Sequence, residues 1–439
     1  MRTEEYISPI ETLSKEKREL LPQDKERAII VGIKTRGIMP WEVTDHLEEL
    51  ELLLDTAGGV VVERILQQRV SPDPTTLIGL GKVRELEHKV KELGVGLVVF
   101  DWDLTPAQLR NLERMLGCKV IDRKALILDI FARRARTREA RIQVELAQLL
   151  YLLPRLTRRW VHLSRQYGGI GTRGPGETQL EIDRQVIKRR IALLRRELAR
   201  VEKSREVRRS RRESLFQIAI IGYTNAGKST LLNALTRARA FVEDRLFATL
   251  DPLVKAYRFP DGSNRRVLFI DTVGFIRKLP VELVASFKST LEETKRADLL
   301  LHVVDLSHPH WELQMERVEE VLTDMGIASK PQILIFNKVD RIKDSAFLEG
   351  MERQYPGALF ISALRGIRIW EVPIRISQFM DHAMVRKVAV FRPDEADRLA
   401  DWEQTVQVIG RTFKDGLIWI NYLVPVEQTL SPTGGYATG

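Results

Sequence analysis

The segment best suited to chemistry is the eight-residue run 222–229, which reads Gly-Tyr-Thr-Asn-Ala-Gly-Lys-Ser. It fits the pattern Gly-x-x-x-x-Gly-Lys-Ser/Thr, in which backbone N–H groups and a helix N-terminus face a polyphosphate. In that pattern the lysine reaches the β- and γ-phosphate oxygens, and the serine ligates magnesium. The sequence therefore predicts that Lys228 binds nucleotide phosphates and that Ser229 holds Mg²⁺.

The residues on either side of this loop are of the kinds needed to position it. Residues 216–221 are almost entirely apolar, which is typical of a buried strand, and residues 230–235 favour the start of a helix. A chance match within a Gly-rich turn is the alternative explanation. The strand and the helix around the loop disfavour that alternative, because the phosphate-binding geometry requires both.

A second motif, Asp-Thr-Val-Gly at 271–274, follows the apolar run 266–270. A carboxylate at the end of a strand can hold magnesium through water, and the glycine N–H can contact a γ-phosphate. We therefore expect Asp271 and Gly274 to face the phosphates. The next residue, Phe275, stands where many GTPases have a glutamine that orients the attacking water. Intrinsic hydrolysis of the nucleotide should therefore be slow, and the water would be positioned either by a partner or by the backbone and the metal. Phe275 as a simple packing residue is the alternative, and it is compatible with either route.

Two further strand ends carry residues suited to a nucleobase. The first is Asn-Lys-Val-Asp at 337–340, and the second is Ser-Ala-Leu at 362–364. An ionised carboxylate at Asp340 can accept hydrogen bonds from both the ring N–H and the exocyclic amine of guanine, a pair that adenine does not offer. The four motifs in this order predict binding of GTP and GDP.

Composition places the chain among ordinary globular proteins. It has 439 residues, 44% of them hydrophobic and 30% charged, and a formal net charge of +10. A single cysteine, Cys118, excludes an internal disulfide framework, and with seven histidines it leaves no plausible zinc cluster. We find no signal peptide and no apolar run long enough to span a bilayer. The expectation is a monomeric cytoplasmic protein, with peripheral membrane association left open.

The pattern of apolar and polar residues predicts an α/β protein of several domains. From residue 26, strands alternate with helices, which implies a parallel sheet. Near the C-terminus three short strands predict a small β-rich or α+β domain.

The run 79–82 could be a second phosphate loop, but a tight turn into a helix fits its spacing better. The predicted order is a tail (1–25), an N-terminal α/β domain (26–132), a basic helical hairpin (133–212), a Ras-like nucleotide domain with a mostly parallel sheet (215–380), a C-terminal domain (385–430) and a tail (431–439).

The predicted hairpin is strongly basic. Residues 133–212 contain 23 Lys and Arg against 8 Asp and Glu, so the rest of the chain is net acidic. Two apolar rows predict antiparallel helices, with a kink at Pro154 and a glycine-rich loop at 167–176. The one-sided charge favours nucleic acid as a partner, although a solvated helix face and lipid headgroups remain alternatives. The residues expected to contact RNA are Arg158, Arg159, Arg173, Arg195 and Arg196.

The motif Gly-Gly-Ile-Gly-Thr-Arg-Gly-Pro-Gly-Glu-Thr-Gln-Leu-Glu at 168–181, with Phe-Ala-Thr-Leu-Asp-Pro at 247–252 and Asp-Thr-Val-Gly-Phe at 271–275, resembles the HflX family of translational GTPases. The resemblance covers nearly the whole chain. It implies GTP hydrolysis and binding to the ribosome, chiefly to the large subunit and its rRNA, with a role in splitting or rescuing ribosomes. It also implies that Thr249 ligates Mg²⁺ in the GTP state.

Together, these arguments assign catalysis to Lys228, Thr249 and Gly274, and Mg²⁺ to Ser229, Thr249 and, through water, Asp271. Asn225 matches an asparagine of potassium-using GTPases, so K⁺ is a possible second cofactor. Two other functions stay open: a nucleotide-gated RNA-binding regulator, and an ATP-driven RNA remodeller acting through the N-terminal domain. The full set of expected nucleotide contacts is Gly222, Tyr223, Thr224, Asn225, Ala226, Gly227, Lys228, Ser229, Thr230, Phe247, Ala248, Thr249, Leu250, Asp251, Asp271, Thr272, Val273, Gly274, Asn337, Lys338, Val339, Asp340, Ser362, Ala363 and Leu364.

Overall fold

The structure is a computed structural model that describes residues 25–37, 39–156, 175–210, 215–236, 246–247, 253–260, 265–277, 293–403 and 406–425. The chain separates into two compact units. The first contains residues 1–130 and 151–181, and the second contains residues 131–150 and 182–439. Both units have a parallel sheet with helices in its connections, so the α/β fold class predicted from the sequence is confirmed.

The first unit is built on a four-stranded parallel sheet with the strand order β2-β1-β3-β4. Its third strand is buried at every position, which explains its unbroken apolar sequence. The sequence predicted the first three strands and the first three helices, but not the short fourth strand or the helix after it. Gly79 precedes a helix in extended conformation, as expected for a turn into that helix. The elements are β1 (Glu26–Lys34), α1 (Pro40–Thr56), β2 (Gly59–Gln68), α2 (Leu80–Leu93), β3 (Leu97–Phe100), α3 (Pro106–Leu116), β4 (Lys119–Asp122) and α4 (Arg123–Arg134).

The second unit contains a six-stranded sheet in the order β10-β9-β8-β5-β7-β6, parallel except for the pairing of β6 with β7. Its core lies where the central strands meet the helices α7 and α10, and Ile218, Leu301 and Ile376 are fully buried there. The elements are β5 (Phe216–Gly222), α7 (Lys228–Thr236), β6 (Leu253–Arg258), β7 (Arg266–Asp271), β8 (Leu299–Asp305), α8 (Trp311–Asp324), β9 (Gln332–Asn337), α9 (Ser345–Gln354), β10 (Leu359–Phe360) and α10 (Glu371–Ala383).

Two helices of the predicted hairpin are α5 (Arg138–Leu152) and α6 (Pro175–Ser210). Their ion pairs join Glu145 to Arg190 at 2.7 Å and Arg138 to Glu197 at 3.6 Å, so a later residue of one helix meets an earlier residue of the other. This is the expected antiparallel arrangement. Even α6, at 36 residues, is highly charged, and among the described residues no helix is long and apolar enough to cross a membrane.

Two details of the hairpin prediction are wrong. Pro154 does not kink the first helix, because that helix has already ended at Leu152 and the proline lies in a turn. Pro175 was assigned to the glycine-rich loop but begins α6, a position where its missing N–H costs no helical hydrogen bond. Gly176 follows it in the same helix, and residues 167–174 of that loop lie outside the described residues.

A small antiparallel sheet closes the described chain. Its strands are arranged β11-β13-β12, and Trp402 packs against Phe391 and Tyr422 on one face. The sequence predicted the strands but not the short helix that carries the tryptophan. The elements are β11 (Met384–Phe391), α11 (Ala396–Glu403), β12 (Gln407–Lys414) and β13 (Leu417–Pro425).

Candidate active site

The loop 222–229 connects β5 to α7, as the sequence predicts, and two of its glycines are required by its geometry. Gly222 has φ +146°, and a Cβ there would lie 2.1 Å from the carbonyl oxygen of Val303 on β8. Gly227 has φ +95°, and its Cβ would lie 2.2 Å from the Asn337 side-chain nitrogen. Any other residue at either position would clash and would strain the backbone.

Lys228 lies beneath this loop. Its side chain is 6% exposed, and its ammonium donates to the carbonyl oxygens of Gly222 at 3.1 Å and Tyr223 at 2.7 Å. Burial lowers the pKa of Lys228 to about 8; the positive charge of Lys338 adds to this effect, and Asp271 opposes it. The two carbonyl groups therefore fix the position of the ammonium, and because they are neutral they leave its positive charge able to attract an anion.

A serine and an aspartate meet at the carboxyl ends of the loop and of β7. The Ser229 hydroxyl donates to the Asp271 carboxylate at 2.6 Å, and Asp271 is fully buried. The adjacent Thr272 donates its hydroxyl to the Ile220 carbonyl at 2.7 Å, which ties the two strands together. Paired hydroxyl and carboxylate oxygens are hard ligands of the kind that Mg²⁺ prefers, so these residues fit that ion.

The segment after Asp271 is hydrogen-bonded directly to the loop. The Thr224 N–H donates to the Phe275 carbonyl at 2.7 Å, and the Phe275 N–H donates to the Gly222 carbonyl at 3.1 Å. Phe275 is 5% exposed, which matches the packing role that the sequence left open. A Cβ on Gly274 would lie 2.8 Å from the Lys228 ammonium nitrogen, so this position also excludes a side chain.

Asn337 joins three of the sequence motifs. Its side-chain N–H₂ donates to the Ala226 carbonyl at 2.8 Å, and its side-chain oxygen accepts from the Ala363 N–H at 2.9 Å. The residue is 2% exposed, so both hydrogen bonds are shielded from water. The asparagine therefore fixes the distance between the phosphate loop and the two segments expected to bind the base.

The next residue, Lys338, adopts a left-handed conformation with φ +64° and forms an ion pair with Asp305 at 2.7 Å. Sequence reasoning missed Asp305, although an acid at the end of the apolar run 299–304 could have indicated it. Asp340 lies in the 3₁₀ turn Val339–Arg341 and is exposed, so its carboxylate is accessible to a ligand.

The second base segment, 362–364, follows β10. Ser362 is fully buried, and its hydroxyl accepts from the Arg365 N–H at 3.1 Å. The N–H and carbonyl of Ser362 pair with those of Ile367, closing a tight loop. Ala363 is buried, whereas Leu364 is 70% exposed. The loop thus holds Ala363 against Asn337 and leaves its neighbour at the surface.

Sequence reasoning also missed His302, which lies on β8 between Ile221 and Leu334. Its ring is 2% exposed. Burial lowers the pKa of His302 to about 4, and the charge of Lys228 adds to the effect. The histidine is therefore neutral near pH 7. An isolated histidine within an apolar strand gave no signal that distinguished it from an ordinary core residue.

The remaining expected site residues lie away from the loop or outside the described ranges. Phe247 is buried and its ring packs 4.6 Å from that of Phe131, which argues for a packing role in this conformation. Arg195 and Arg196 are exposed on α6. The expected residues that lie outside the described ranges are Ala248, Thr249, Leu250, Asp251, Arg158, Arg159 and Arg173.

A glycine loop between strand and helix, a buried lysine and the Asn-Lys-x-Asp segment define a P-loop GTPase. Three family profiles match consecutive parts of the chain: "GTP-binding GTPase N-terminal" at 44–132, "GTP-binding GTPase Middle Region" at 134–212 and "50S ribosome-binding GTPase" at 217–338. The chain belongs to the HflX family of GTPases, so it binds guanine nucleotides and hydrolyses GTP.

The relatives that show this membership match over most of the chain. GTPase HflX of Flavobacterium psychrophilum is 50% identical over 72% of this chain and 76% of its own length. The Lacrimispora saccharolytica protein is 43% identical over 93% and 95%, and the Escherichia coli protein is 42% identical over 87% and 90%. These values confirm the family resemblance predicted from the sequence.

Proposed function

We propose that the described motifs form one guanine-nucleotide site. The loop 222–230 surrounds the phosphates with Lys228 beneath them, and the segments 271–274 and 247–251 complete the phosphate side. The segments 337–340 and 362–364 hold the base. The observation that carries this proposal is Asn337, whose side chain hydrogen-bonds both Ala226 in the phosphate loop and Ala363, and so links the three motifs.

The metal ligands in this proposal are oxygen atoms of Ser229, Thr249 and, through water, Asp271. Bound Mg²⁺ would neutralise phosphate charge as it develops during hydrolysis. The chain itself contributes the Lys228 ammonium, held against the phosphates, and the Gly274 N–H, which would contact the γ-phosphate. Phe275 can neither donate nor accept, so we propose that hydrolysis is slow until a partner positions the water.

We propose that this partner is the ribosome, bound in the cytoplasm by a monomer through the large subunit and its rRNA, and that the protein dissociates stalled or idle ribosomes. The support is the basic character of residues 133–212 and the exposure of Arg195 and Arg196 on the helix α6. Arginine can pair with phosphate and stack on unpaired bases. Arg158, Arg159 and Arg173 are proposed to act with them.

The direct test is GTP turnover with and without ribosomes. Turnover should rise when 50S subunits are added, and equal rates would support a regulator whose hydrolysis is incidental. Replacing Arg195 and Arg196 with glutamine should weaken ribosome binding and reduce its dependence on salt by about one unit of the log–log slope or more. A matched control replaces Arg317 and Arg353, two exposed arginines on α8 and α9, and should leave binding unchanged.

The glycine-rich loop is proposed to act as the wedge between subunits. Deleting residues 169–175 should leave binding partly intact while it abolishes ribosome-stimulated hydrolysis and splitting. If the deletion variant splits ribosomes as well as the parent, the loop is only a connector. Turnover of ATP by residues 1–210 alone tests the remaining alternative, an RNA remodeller driven by the N-terminal domain.

Asp340 is proposed to read the base. Asp340→Asn should weaken GTP binding and favour xanthosine triphosphate, because the amide presents a donor that suits a carbonyl where guanine has an amine. Competition between the two nucleotides measures this preference. A variant that keeps the full preference of the parent for GTP would show that another residue reads the base.

Asn225 is proposed to help bind K⁺ next to the phosphates, where a monovalent cation could supply charge that an arginine would otherwise bring. Its left-handed conformation, φ +62°, also fits an asparagine that only shapes its loop. Turnover in potassium should exceed turnover in sodium, and Asn225→Ala should remove the difference. Equal rates in both salts for the parent would remove the hypothesis.

A further inference from the structure

The segment 274–277 is held on the phosphate loop by a hydroxyl as well as by backbone groups. The Tyr223 hydroxyl accepts from the Arg277 N–H at 2.9 Å. It adds to the two backbone hydrogen bonds that pair Phe275 with Gly222 and Thr224. Tyr223 itself is 9% exposed, so its hydroxyl bond is largely shielded from water.

This pairing places the backbone of Gly274 very close to the lysine. A Cβ on Gly274 would lie 2.8 Å from the Lys228 nitrogen and 2.8 Å from the Thr224 Cα. Because a carbon–carbon bond is about 1.5 Å long, the Gly274 Cα lies within about 4.3 Å of that nitrogen. In the proposed site the γ-phosphate contacts both the Lys228 ammonium and the Gly274 N–H, so it has to fit between them. The observed pairing therefore describes a closed arrangement with little room for the third phosphate.

We propose that Tyr223 is a positioning residue whose hydroxyl stabilises this closed arrangement and so lowers the affinity for GTP relative to GDP. The proposal rests on the assignment of 222–230 to phosphate binding. GDP has no γ-phosphate and binds the closed and the open arrangement alike. GTP binds only when 274–277 has shifted far enough from Lys228 to admit the γ-phosphate, which the Gly274 N–H then contacts. Its apparent dissociation constant is therefore raised in proportion to the scarcity of such open molecules.

The hydroxyl is the part of Tyr223 that can favour the closed arrangement over the open one. The ring contributes packing, which supports the loop in both arrangements, whereas the hydroxyl bond to Arg277 exists only in the closed one. Removing one intramolecular hydrogen bond changes such an equilibrium by roughly 2- to 10-fold. Tyr223→Phe removes this bond and keeps the ring.

The experiment measures dissociation constants for GDP and for a non-hydrolysable GTP analogue, with magnesium, in the full chain and in Tyr223→Phe. The analogue should bind roughly 2- to 10-fold more tightly to the variant, and its affinity relative to that of GDP should rise by the same factor. The matched control is Tyr355→Phe, which removes a hydroxyl from a tyrosine packed against Trp311 and Phe336, away from the loop. It should change neither constant.

Unchanged or weaker analogue binding in Tyr223→Phe would overturn the proposal, and so would an equal change for both nucleotides, which indicates a purely structural tyrosine. Failure of the site assignment gives a different result. In that case Lys228→Met would bind GDP and the analogue as tightly as the parent, whatever Tyr223→Phe does. The two failures are therefore distinguished by the same measurements.

Discussion

Each unit of the chain buries a cation near the carboxyl edge of a parallel sheet, but the two cations are paired differently. In the first unit Arg123, 1% exposed, forms an ion pair with Asp101 at 3.0 Å and another with Glu49. In the second unit the ammonium of Lys228 donates to two backbone carbonyl oxygens. The arginine is hydrogen-bonded to carboxylates that neutralise its charge. The lysine is hydrogen-bonded to neutral carbonyl groups, and the Asp271 carboxylate acts on it through charge attraction.

The partners of a buried cation therefore distinguish a structural charge from one suited to ligand binding. A buried charge with carboxylate partners is satisfied within the fold. The buried carboxylate of Asp122 is likewise satisfied within the fold, because it accepts hydrogen bonds from Tyr151 at 2.9 Å and from Arg155 at 3.0 Å. The buried lysine is bonded to carbonyls and keeps a charge that no hydrogen-bonded carboxylate neutralises, as the proposed phosphate site in the glycine loop requires.

The largest change in stability is expected from removing the buried arginine of the first unit. Arg123→Met removes the guanidinium and leaves the Asp101 carboxylate buried without that partner. The free energy of unfolding of the first unit should fall by about 3–5 kcal/mol. Chemical denaturation followed by a probe in that unit measures the change. A loss below about 1 kcal/mol would show that the network is not the structural element we infer.

The next effect concerns His302, whose pKa near 4 reflects burial and the neighbouring Lys228 charge. Unfolding returns its pKa to about 6.5, so between these values the unfolded chain binds a proton that the folded chain does not. The histidine's contribution to stability is therefore present above pH 6.5 and lost as pH falls. Lowering the pH from 7 to 5 should cost about 2 kcal/mol through this group.

The variant His302→Gln isolates this contribution, because it removes the titrating ring and leaves all other ionisable groups in place. Unfolding of the second unit at pH 7 and pH 5 should show about 2 kcal/mol less acid destabilisation in the variant than in the parent. Identical losses in both proteins would mean that burial and the Lys228 charge do not hold His302 neutral in the folded chain.

The smallest change in unfolding free energy is expected from removing a helix cap in the first unit. Thr105 caps α3: its hydroxyl accepts from the Gln108 N–H at 3.2 Å, and the Gln108 side chain accepts from the Thr105 N–H at 3.0 Å. Thr105→Ala should cost about 1 kcal/mol of unfolding free energy. The same denaturation experiment measures it. A loss as large as that of Arg123→Met would remove the distinction between a cap and the ion network.

Sequence patterns predicted much of this fold, because parallel strands with buried faces are uniformly apolar and glycine loops have fixed spacing. The short strand β4 escaped prediction, since four residues carry too little periodicity. The helix end before Pro154 and the helix start at Pro175 depended on local turns, which are the least regular part of the chain.

At the site, the motifs indicated which residues would come together, but not their partners. The bond from Asn337 to Ala226 spans 111 residues, and the pair of Lys338 with Asp305 joins neighbouring strands. Such contacts follow from strand order, which the sequence did not supply. The buried state of Phe275 and the hydroxyl bond of Tyr223 likewise depend on tertiary packing.

The most direct test of the account is GDP binding by Lys228→Met, with Arg123→Met as its matched control, since each variant removes one buried cation. We predict that Lys228→Met weakens GDP binding by about 10- to 100-fold, because a charge-assisted hydrogen bond to phosphate is lost. Arg123→Met should bind GDP as the parent does. Parental GDP affinity in Lys228→Met would contradict the account, because the nucleotide would then be held at another place in the chain.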